Sequence, residues 1–182
     1  MSVFDYTEKL IHEIQNQVKQ CHFLDENIIA PLVAALKNNL DACATESGSP
    51  VAVVQTHGDF QPANILVAGN AAWLIDWEHT APRQAAYDLL VLATGSRFAG
   101  FSDRIRHFLA NGSREWDGLF KDCPFLAWQD AAMRKTSVVL FLLEELEMRL
   151  RQDANPLFQK PGEGFDIFLQ DMRESFCALD AT

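Results

Sequence analysis

One stretch decides the fold and the chemistry of this chain: residues 57–88, which read HGDFQPANILVAGNAAWLIDWEHTAPRQAAYD. Within it, two short apolar runs, Ile65–Ala68 and Ala71–Ile75, flank the pair Gly69-Asn70. Apolar runs on either side of a two-residue turn are typical of a β-hairpin. We expect this hairpin to bring the polar residues before it and after it to the same place.

Three oxygen-bearing side chains around the predicted hairpin resemble the H-R-D-L-x-x-x-N catalytic loop of protein kinases and the metal-binding Asp that follows it. Asn64 follows Asp59 by five positions, and Asp76 follows Asn64 by twelve, across the turn. Phosphoryl transfer requires a carboxylate that orients the acceptor hydroxyl and takes its proton, and hard oxygen ligands that hold Mg²⁺ against the phosphates. We therefore expect Asp59 to be the base and Asn64 and Asp76 to be the magnesium ligands. Taken singly, each would be an ordinary loop or strand-end residue.

Two other residues of the stretch are expected to support the loop. His57 lies two positions before Asp59, and we expect it to brace the loop by hydrogen bonding rather than to react. Asp88 opens an apolar helical segment. It is either an N-terminal cap or a buried anchor for the catalytic loop, and we favour the anchor.

The same types of residue also allow a different hypothesis, a metal-dependent hydrolase. Its candidate ligands would be His57, Asp59, Asp76 and His79. This hypothesis gives no role to Asn64 and does not explain the spacing of Asp88. We therefore favour phosphoryl transfer.

The two motifs HGDFQPANIL and WLIDWEHT together resemble those of the aminoglycoside phosphotransferase and choline kinase-like family, which has HGD-x-x-x-x-N followed by I-D-W/F-E. The resemblance covers residues 57–88. It implies a protein-kinase-like fold, ATP as the phosphoryl donor, Mg²⁺ as the cofactor and a small-molecule hydroxyl as the acceptor, such as an aminoglycoside, choline, ethanolamine, thiamine or a sugar. It also implies that Asp59 is the base and that Asn64 and Asp76 are the magnesium ligands.

The resemblance extends to residues around these three. It implies that His57 supports the loop and that Asp88 is the acidic residue that anchors it. Glu78 matches the acidic position that follows Asp-Trp, and it is a candidate substrate-binding or site-lining residue. Gln61 stands where family members often have His, and it is a second candidate lining residue from which we infer no role.

Outside this stretch the pattern is mostly helical, which predicts a mainly α fold with a small β-hairpin (α+β). We treat residues 1–182 as a single lobe with three parts. These are a helical lead-in over 1–44, a catalytic loop and metal-binding hairpin over 51–80, and a helical subdomain over 85–182.

The expected elements have approximate bounds. The lead-in is predicted to hold two amphipathic helices, with Pro31 in the first turn of the second, and a polar break over 45–50. Val51–Val54 is a candidate buried strand. The later helices are predicted over 85–97, 102–111 with Ser102 as N-cap and Gly112 at the end, 127–152 and 165–179.

Acidic residues on the later helices are interpreted mainly as solvated. In the helix over 127–152, Glu145 precedes Arg149 by four positions and Glu147 precedes Arg151 by four, a spacing typical of a solvent-exposed face. A substrate role for these carboxylates is the alternative. A C-terminal set is interpreted in the same way, with contact to a cationic substrate as its alternative: Glu163, Asp166, Asp171 and Glu174.

The segment before the motif lacks the parts that clamp a nucleotide. Kinase-like enzymes have an N-terminal β-lobe with a glycine-rich loop and a strand lysine. The lysines before Asp59 are Lys9, Lys19 and Lys37, all in helical patterns, and no G-x-G-x-x-G occurs. The sequence thus predicts a C-terminal lobe without its N-terminal β-lobe, incomplete or weakly active alone. The alternative is a non-catalytic binding module that forms a homodimer or completes a partner.

Charge and composition limit the partners. The 25 acidic and 15 basic residues give a net charge of −10, which argues against nucleic acid or an anionic membrane as the main partner and favours Mg²⁺ and a cationic acceptor. No signal peptide or membrane span is recognisable, so we expect a cytoplasmic protein. The four cysteines form no CxxC pair, and we expect them to be reduced, buried thiols.

Overall fold

The computed structural model describes residues 1–21, 24–47, 50–112, 130–153 and 163–180. The elements in these ranges are α1 (Val3–Gln20), α2 (Glu26–Ser47), β1 (Val53–Thr56), a 3-10 turn (Pro62–Asn64), β2 (Ile65–Ala68), β3 (Ala71–Leu74), β4 (Ala81–Gln84), α3 (Tyr87–Thr94), α4 (Phe101–Asn111), α5 (Ala131–Asp153) and α6 (Glu163–Asp180). The mainly α fold with a small amount of antiparallel sheet is confirmed.

Helix α5 forms the centre of the hydrophobic core. Its segment Val138–Leu143 is buried on every side, as is typical of a helix that is apolar all round. Helices α1 and α2 both pack against α5, and α4 packs against α6. The amphipathic pattern of the lead-in thus predicts its two helices correctly, because each places one apolar stripe on this core.

The ends of several helices differ from the prediction. Pro31 lies in the second turn of α2, because the helix begins at Glu26 and also continues to Ser47, into the expected break. Helix α3 is shorter than predicted and ends at Gly95, which has a left-handed φ of 56°. Gly100, not Ser102, is the N-cap of α4, and Gly112 ends that helix as expected. The predicted start of α5 at 127 lies outside the described residues.

The strands form two separate two-stranded antiparallel sheets. In one, β2 pairs with β3 so that Ile65 faces Leu74 and Ala68 faces Ala71, which confirms the predicted hairpin. In the other, β1 pairs with β4, a strand that the sequence did not predict. The expectation that β1 is buried is wrong: Val53 is 36% exposed, because β1 has a single neighbouring strand.

Within the described ranges, no helix combines the length and the apolar character that crossing a membrane requires. Two of the cysteines, Cys21 and Cys43, are buried as expected. Cys177 is free but exposed, so the expectation of burial is wrong for that residue. Cys123 lies outside the described residues.

Candidate active site

The candidate active site begins in the loop that leaves β1. Gly58 has a φ of +88°, and a Cβ at this position would lie 2.1 Å from the carbonyl oxygen of His79. Only glycine fits such a close approach of two backbone segments. The loop is therefore pressed against the segment that connects β3 with β4.

Asp88 holds this loop from the first turn of α3. Its carboxylate accepts hydrogen bonds from the backbone N–H of His57, at 2.7 Å, and of Gly58, at 2.9 Å. Hydrogen bonds to a charged acceptor are stronger than those between neutral groups. Of the two sequence-based alternatives for Asp88, cap or anchor, these contacts correspond to the anchor.

His57 connects the loop to the end of the hairpin. The imidazole is 2% exposed and packs 4.7 Å from the ring of Trp77. Its Nδ1 accepts a hydrogen bond from the Asp59 N–H at 3.2 Å, which leaves Nε2 to donate to the Ile75 carbonyl oxygen at 2.7 Å. With both ring nitrogens bonded to backbone, His57 makes the bracing contacts that its position suggested.

The side chains of Asp59 and Asn64 lie together. The Asn64 amide nitrogen donates to the Asp59 Oδ2 at 2.7 Å and to the Asp59 carbonyl oxygen at 2.9 Å. Gln61 donates to the same Oδ2 at 2.8 Å. Gln61, a candidate lining residue without an inferred role, is therefore a direct partner of the candidate base.

The protonation of Asp59 follows from these contacts. Burial is the largest influence and raises the pKa of the carboxyl. The hydrogen bonds from Gln61, Arg97 and Asn64 and the charge of Arg97 outweigh it, so that the pKa lies below its usual range. Asp59 is therefore ionised at neutral pH and can accept a hydrogen bond from a hydroxyl.

Asp76 directly follows a residue that pairs with Asn64. The Ile75 N–H donates to the Asn64 carbonyl oxygen at 3.0 Å, which places the end of β3 beside the start of β2. Asp76 itself is exposed and has a φ of 65°, a conformation that non-glycine residues seldom adopt. Backbone strain of this kind is often found at functional sites.

The side-chain oxygen atoms at this end of the hairpin are suitable ligands for a magnesium ion. Both Asn64 amide hydrogens are engaged by Asp59, which leaves the Asn64 side-chain oxygen as a free acceptor among the described contacts. Mg²⁺ prefers a few oxygen ligands and completes its coordination with water and phosphate. The described residues contain no group of three or more His, Cys, Asp or Glu that could hold a metal, which counts against the hydrolase hypothesis.

The side chains of Glu78 and His79 contact each other and Gln152 rather than Asp59. The Glu78 carboxylate is largely exposed and approaches His79 Nε2 at 3.2 Å, and the His79 ring also contacts Gln152 at 3.1 Å. Within the described ranges, no hydrogen bond connects Glu78 to Asp59 or Asn64.

The sequence did not reveal Arg97, which lies between the loop and helix α5. Its Nε donates to the Asp59 Oδ1 at 2.6 Å, and its Nη1 contacts Glu145 Oε2 at 2.5 Å. Burial, the largest influence, lowers the pKa of Arg97, but the charges of Glu145 and Tyr87 and the hydrogen bonds to both together outweigh it, so the pKa is raised. Burial, the largest influence, raises the pKa of Glu145, but the charges of Arg97 and Arg149 and the hydrogen bonds from Arg97 and Tyr87 together outweigh it, so the pKa is lowered.

The predicted solvated face of α5 is therefore wrong. Glu145 is 0% exposed and Glu147 is 9% exposed. The expected ion pairs with Arg149 and Arg151 are present at 3.8 and 3.7 Å. They do not mark a solvated face, because the carboxylates also serve partners elsewhere in the chain, such as Arg97 for Glu145. In α6, Asp171 is likewise buried and accepts from the Gly100 N–H and the Ser102 hydroxyl.

The lysines that precede the loop lie in helices, as expected. Lys9 and Lys19 belong to α1, and Lys37 belongs to α2, where it pairs with Glu8. None of the three is on a strand, where kinase-like enzymes carry the lysine that contacts the phosphates.

A sequence model described as the phosphotransferase enzyme family matches residues 4–121, which include the loop, the hairpin and the helical lead-in. The chain belongs to this family. The resemblance inferred from residues 57–88 is thus confirmed, and the match extends well beyond that stretch.

A solved structure supports the same fold. The chain is similar to choline kinase from Cryptosporidium parvum Iowa II, with a TM-score of 0.53 and 14% sequence identity. The similarity covers 98% of this chain and 57% of the choline kinase. A comparison with curated protein sequences gives no match. At this identity the choline kinase establishes the fold alone, and the chain spans little more than half of its length.

Proposed function

We propose that this chain is the catalytic lobe of a small-molecule kinase, which transfers the γ-phosphoryl group of ATP to a hydroxyl with Asp59 as base. The observation that carries the proposal is the single cluster of Asp59, Asn64 and the end of the hairpin at Asp76. Membership of the phosphotransferase family supports this class of reaction.

In the proposed reaction, Asp59 orients the acceptor hydroxyl and takes its proton. The hydroxyl oxygen forms a bond to the γ-phosphorus, the bond from that phosphorus to the β,γ-bridging oxygen breaks, and ADP leaves. Asp59 is suited to this task because it is ionised and because His57 and Asp88 fix the backbone around it. Positioning of this kind supplies most of the catalysis in phosphoryl transfer.

Asn64 and Asp76 would hold Mg²⁺ in this enzyme. Both provide oxygen atoms with no donor among the described residues, and Asp76 is open to solvent. When bound, the ion neutralises charge on the phosphates of ATP. We propose the cytoplasm as the site of the reaction.

The proposal also covers the acceptor substrate and the part of the protein that binds ATP. We retain a hydroxyl of an aminoglycoside, choline, ethanolamine, thiamine or a sugar as the acceptor. The lysines before the loop are helical, and the chain spans 57% of the matched choline kinase. We therefore propose that a separate nucleotide-binding lobe or partner is needed for full activity.

The experiment that tests this function combines binding with turnover. Titration calorimetry would measure Mg²⁺-ATP binding, and a coupled assay would measure ADP release with each acceptor, for this chain and for any longer reading frame. Asn64→Ala and Asp76→Asn should weaken Mg²⁺-dependent ATP binding. The control Asp103→Asn changes an exposed aspartate on α4 and should bind normally. Equal binding by all four proteins would contradict the proposed metal ligands.

A second candidate function, a non-catalytic binding module, is favoured by the surface of the hairpin. Large apolar side chains lie exposed in one short segment: Leu66, Val67, Trp73, Leu74, Ile75 and Trp77. A clustered apolar surface often marks a protein interface. If this function is correct, the chain forms a homodimer or binds a partner protein through the hairpin. A strictly monomeric chain in light scattering at high concentration would count against the homodimer.

A further inference from the structure

We propose that Arg97 is the positioning residue of the base: it fixes the Asp59 carboxylate and the Gly58 backbone against helix α5 through Glu145. The role rests on the proposed function, since it presupposes that Asp59 is the base. Neither the family motif nor the sequence pattern around residue 97 assigns it.

Arg97 holds two consecutive residues of the catalytic loop. Its Nε donates to the Asp59 Oδ1 at 2.6 Å, and its Nη2 donates to the Gly58 carbonyl oxygen at 2.6 Å. The guanidinium group is planar, so two contacts from one rigid fork fix both the direction of the carboxylate and the peptide that precedes it. A lysine ammonium has no such fork.

The other side of the guanidinium is fixed by the core. Its Nη1 contacts Glu145 Oε2 at 2.5 Å, and its Nη2 lies 3.3 Å from the Tyr87 hydroxyl. Glu145 and Tyr87 are both 0% exposed. Arg97 therefore transmits the position of two buried side chains, on α5 and α3, to the loop, in addition to the backbone contacts that Asp88 makes.

The contacts also decide which oxygen of Asp59 can serve a substrate. A carboxylate oxygen offers about two acceptor positions. Gln61 and Asn64 occupy both positions at Oδ2, whereas Arg97 alone occupies one at Oδ1 among the described residues. The remaining position for an acceptor hydroxyl is therefore on Oδ1, the oxygen that Arg97 holds. Displacement of Arg97 would misdirect that oxygen.

Two variants separate positioning from simple stability. Arg97→Gln leaves Glu145 buried without its main partner, and we expect this variant to have a much lower melting temperature than wild type. The double variant Arg97→Gln with Glu145→Gln removes both charges, and we expect its melting temperature to recover most of that loss. Arg106→Gln, at an exposed ion pair of α4, is the matched control and should behave as wild type.

Turnover with Mg²⁺-ATP gives the first result. We expect kcat of the double variant to stay about 100-fold below wild type, with KM for ATP changed by less than about threefold, because a displaced base slows the chemical step. Recovery of kcat together with the melting temperature would overturn the proposal, because Arg97 would then contribute stability alone.

Amide hydrogen exchange gives a second result that does not depend on turnover. The Gln61 N–H bonds to the Asp59 carbonyl oxygen, and the Asn64 N–H bonds to the Gln61 carbonyl oxygen, both at 2.9 Å. We expect both amides to exchange about tenfold faster in the double variant, since the loop opens more often. If wild type turns over no acceptor, the proposed function fails and the exchange rates still decide the role of Arg97. Unchanged exchange rates of these two amides in the double variant would overturn the proposed role of Arg97.

Discussion

Replacement of Asp88 is the sharpest test of how the fold holds the loop. The Asp88 carboxylate accepts two backbone N–H groups, from His57 and Gly58, at 2.7 and 2.9 Å. A hydrogen bond to a charged group contributes about 1.5–3 kcal/mol. Asp88 is half-buried, so we take the lower part of this range. Asp88→Ala should lower the free energy of unfolding by about 3 kcal/mol, and Asp88→Asn, which keeps one acceptor oxygen, by about half of that.

The assay is equilibrium unfolding in urea, with Asp103→Asn as the control. Asp103 also lies in the first turn of a helix, α4, but it is exposed. It shares the favourable interaction with the helix dipole, about 0.3–1 kcal/mol, and lacks the contacts with the loop. The difference between Asp88→Asn and Asp103→Asn therefore isolates the anchor. Equal losses in these two variants would refute the reasoning.

Three more predictions follow from other parts of the molecule. Burial raises the pKa of Glu144 to about 7, so its contribution to stability is full below pH 4.5 and is lost as the pH rises through 7. Relative to Glu144→Gln, wild type should lose about 3 kcal/mol of unfolding free energy between pH 4.5 and 8 in denaturant titrations, whereas a constant difference would contradict the assigned cause. Gly58→Ala should lower the melting temperature far more than Gly69→Ala, because both have positive φ but only at Gly58 would the Cβ meet backbone. Trp73→Ser should lower the unfolding free energy less than replacement of a fully buried core residue, because the side chain is 52% exposed. If the hairpin is a homodimer interface, Trp73→Ser should also reduce association in light scattering, and unchanged association would contradict that interface.

The hairpin and the cluster around Asp59 could be predicted because their signals are local. Gly69 and Asn70 mark the turn, and the spacing of Asn64 and Asp76 on either side of it fixes their approach. The apolar periodicity of α1 and α2 was sufficient to predict these two helices, because it is also a local signal.

Arg97 could not be predicted, since its partners Asp59 and Glu145 are 38 and 48 positions away. Glu145 itself was misleading, because a spacing of four residues to Arg149 is typical of solvated helices and also fits a buried network. Strand β4 was missed because Pro82 and Arg83 are unusual in a strand. Pro82 is tolerated because this two-stranded sheet has only edge strands.

The central claim, that Asp59 is the base of a small-molecule kinase, is tested most directly by the turnover of Asp59→Asn. The measurement is the rate of ADP release with Mg²⁺-ATP and the best acceptor, compared between wild type, Asp59→Asn and the exposed control Asp103→Asn. We expect the rate of Asp59→Asn to fall by about 10²- to 10⁴-fold, as for loss of a general base, while Asp103→Asn keeps the wild-type rate. An Asp59→Asn variant that turns over at the wild-type rate would contradict the account.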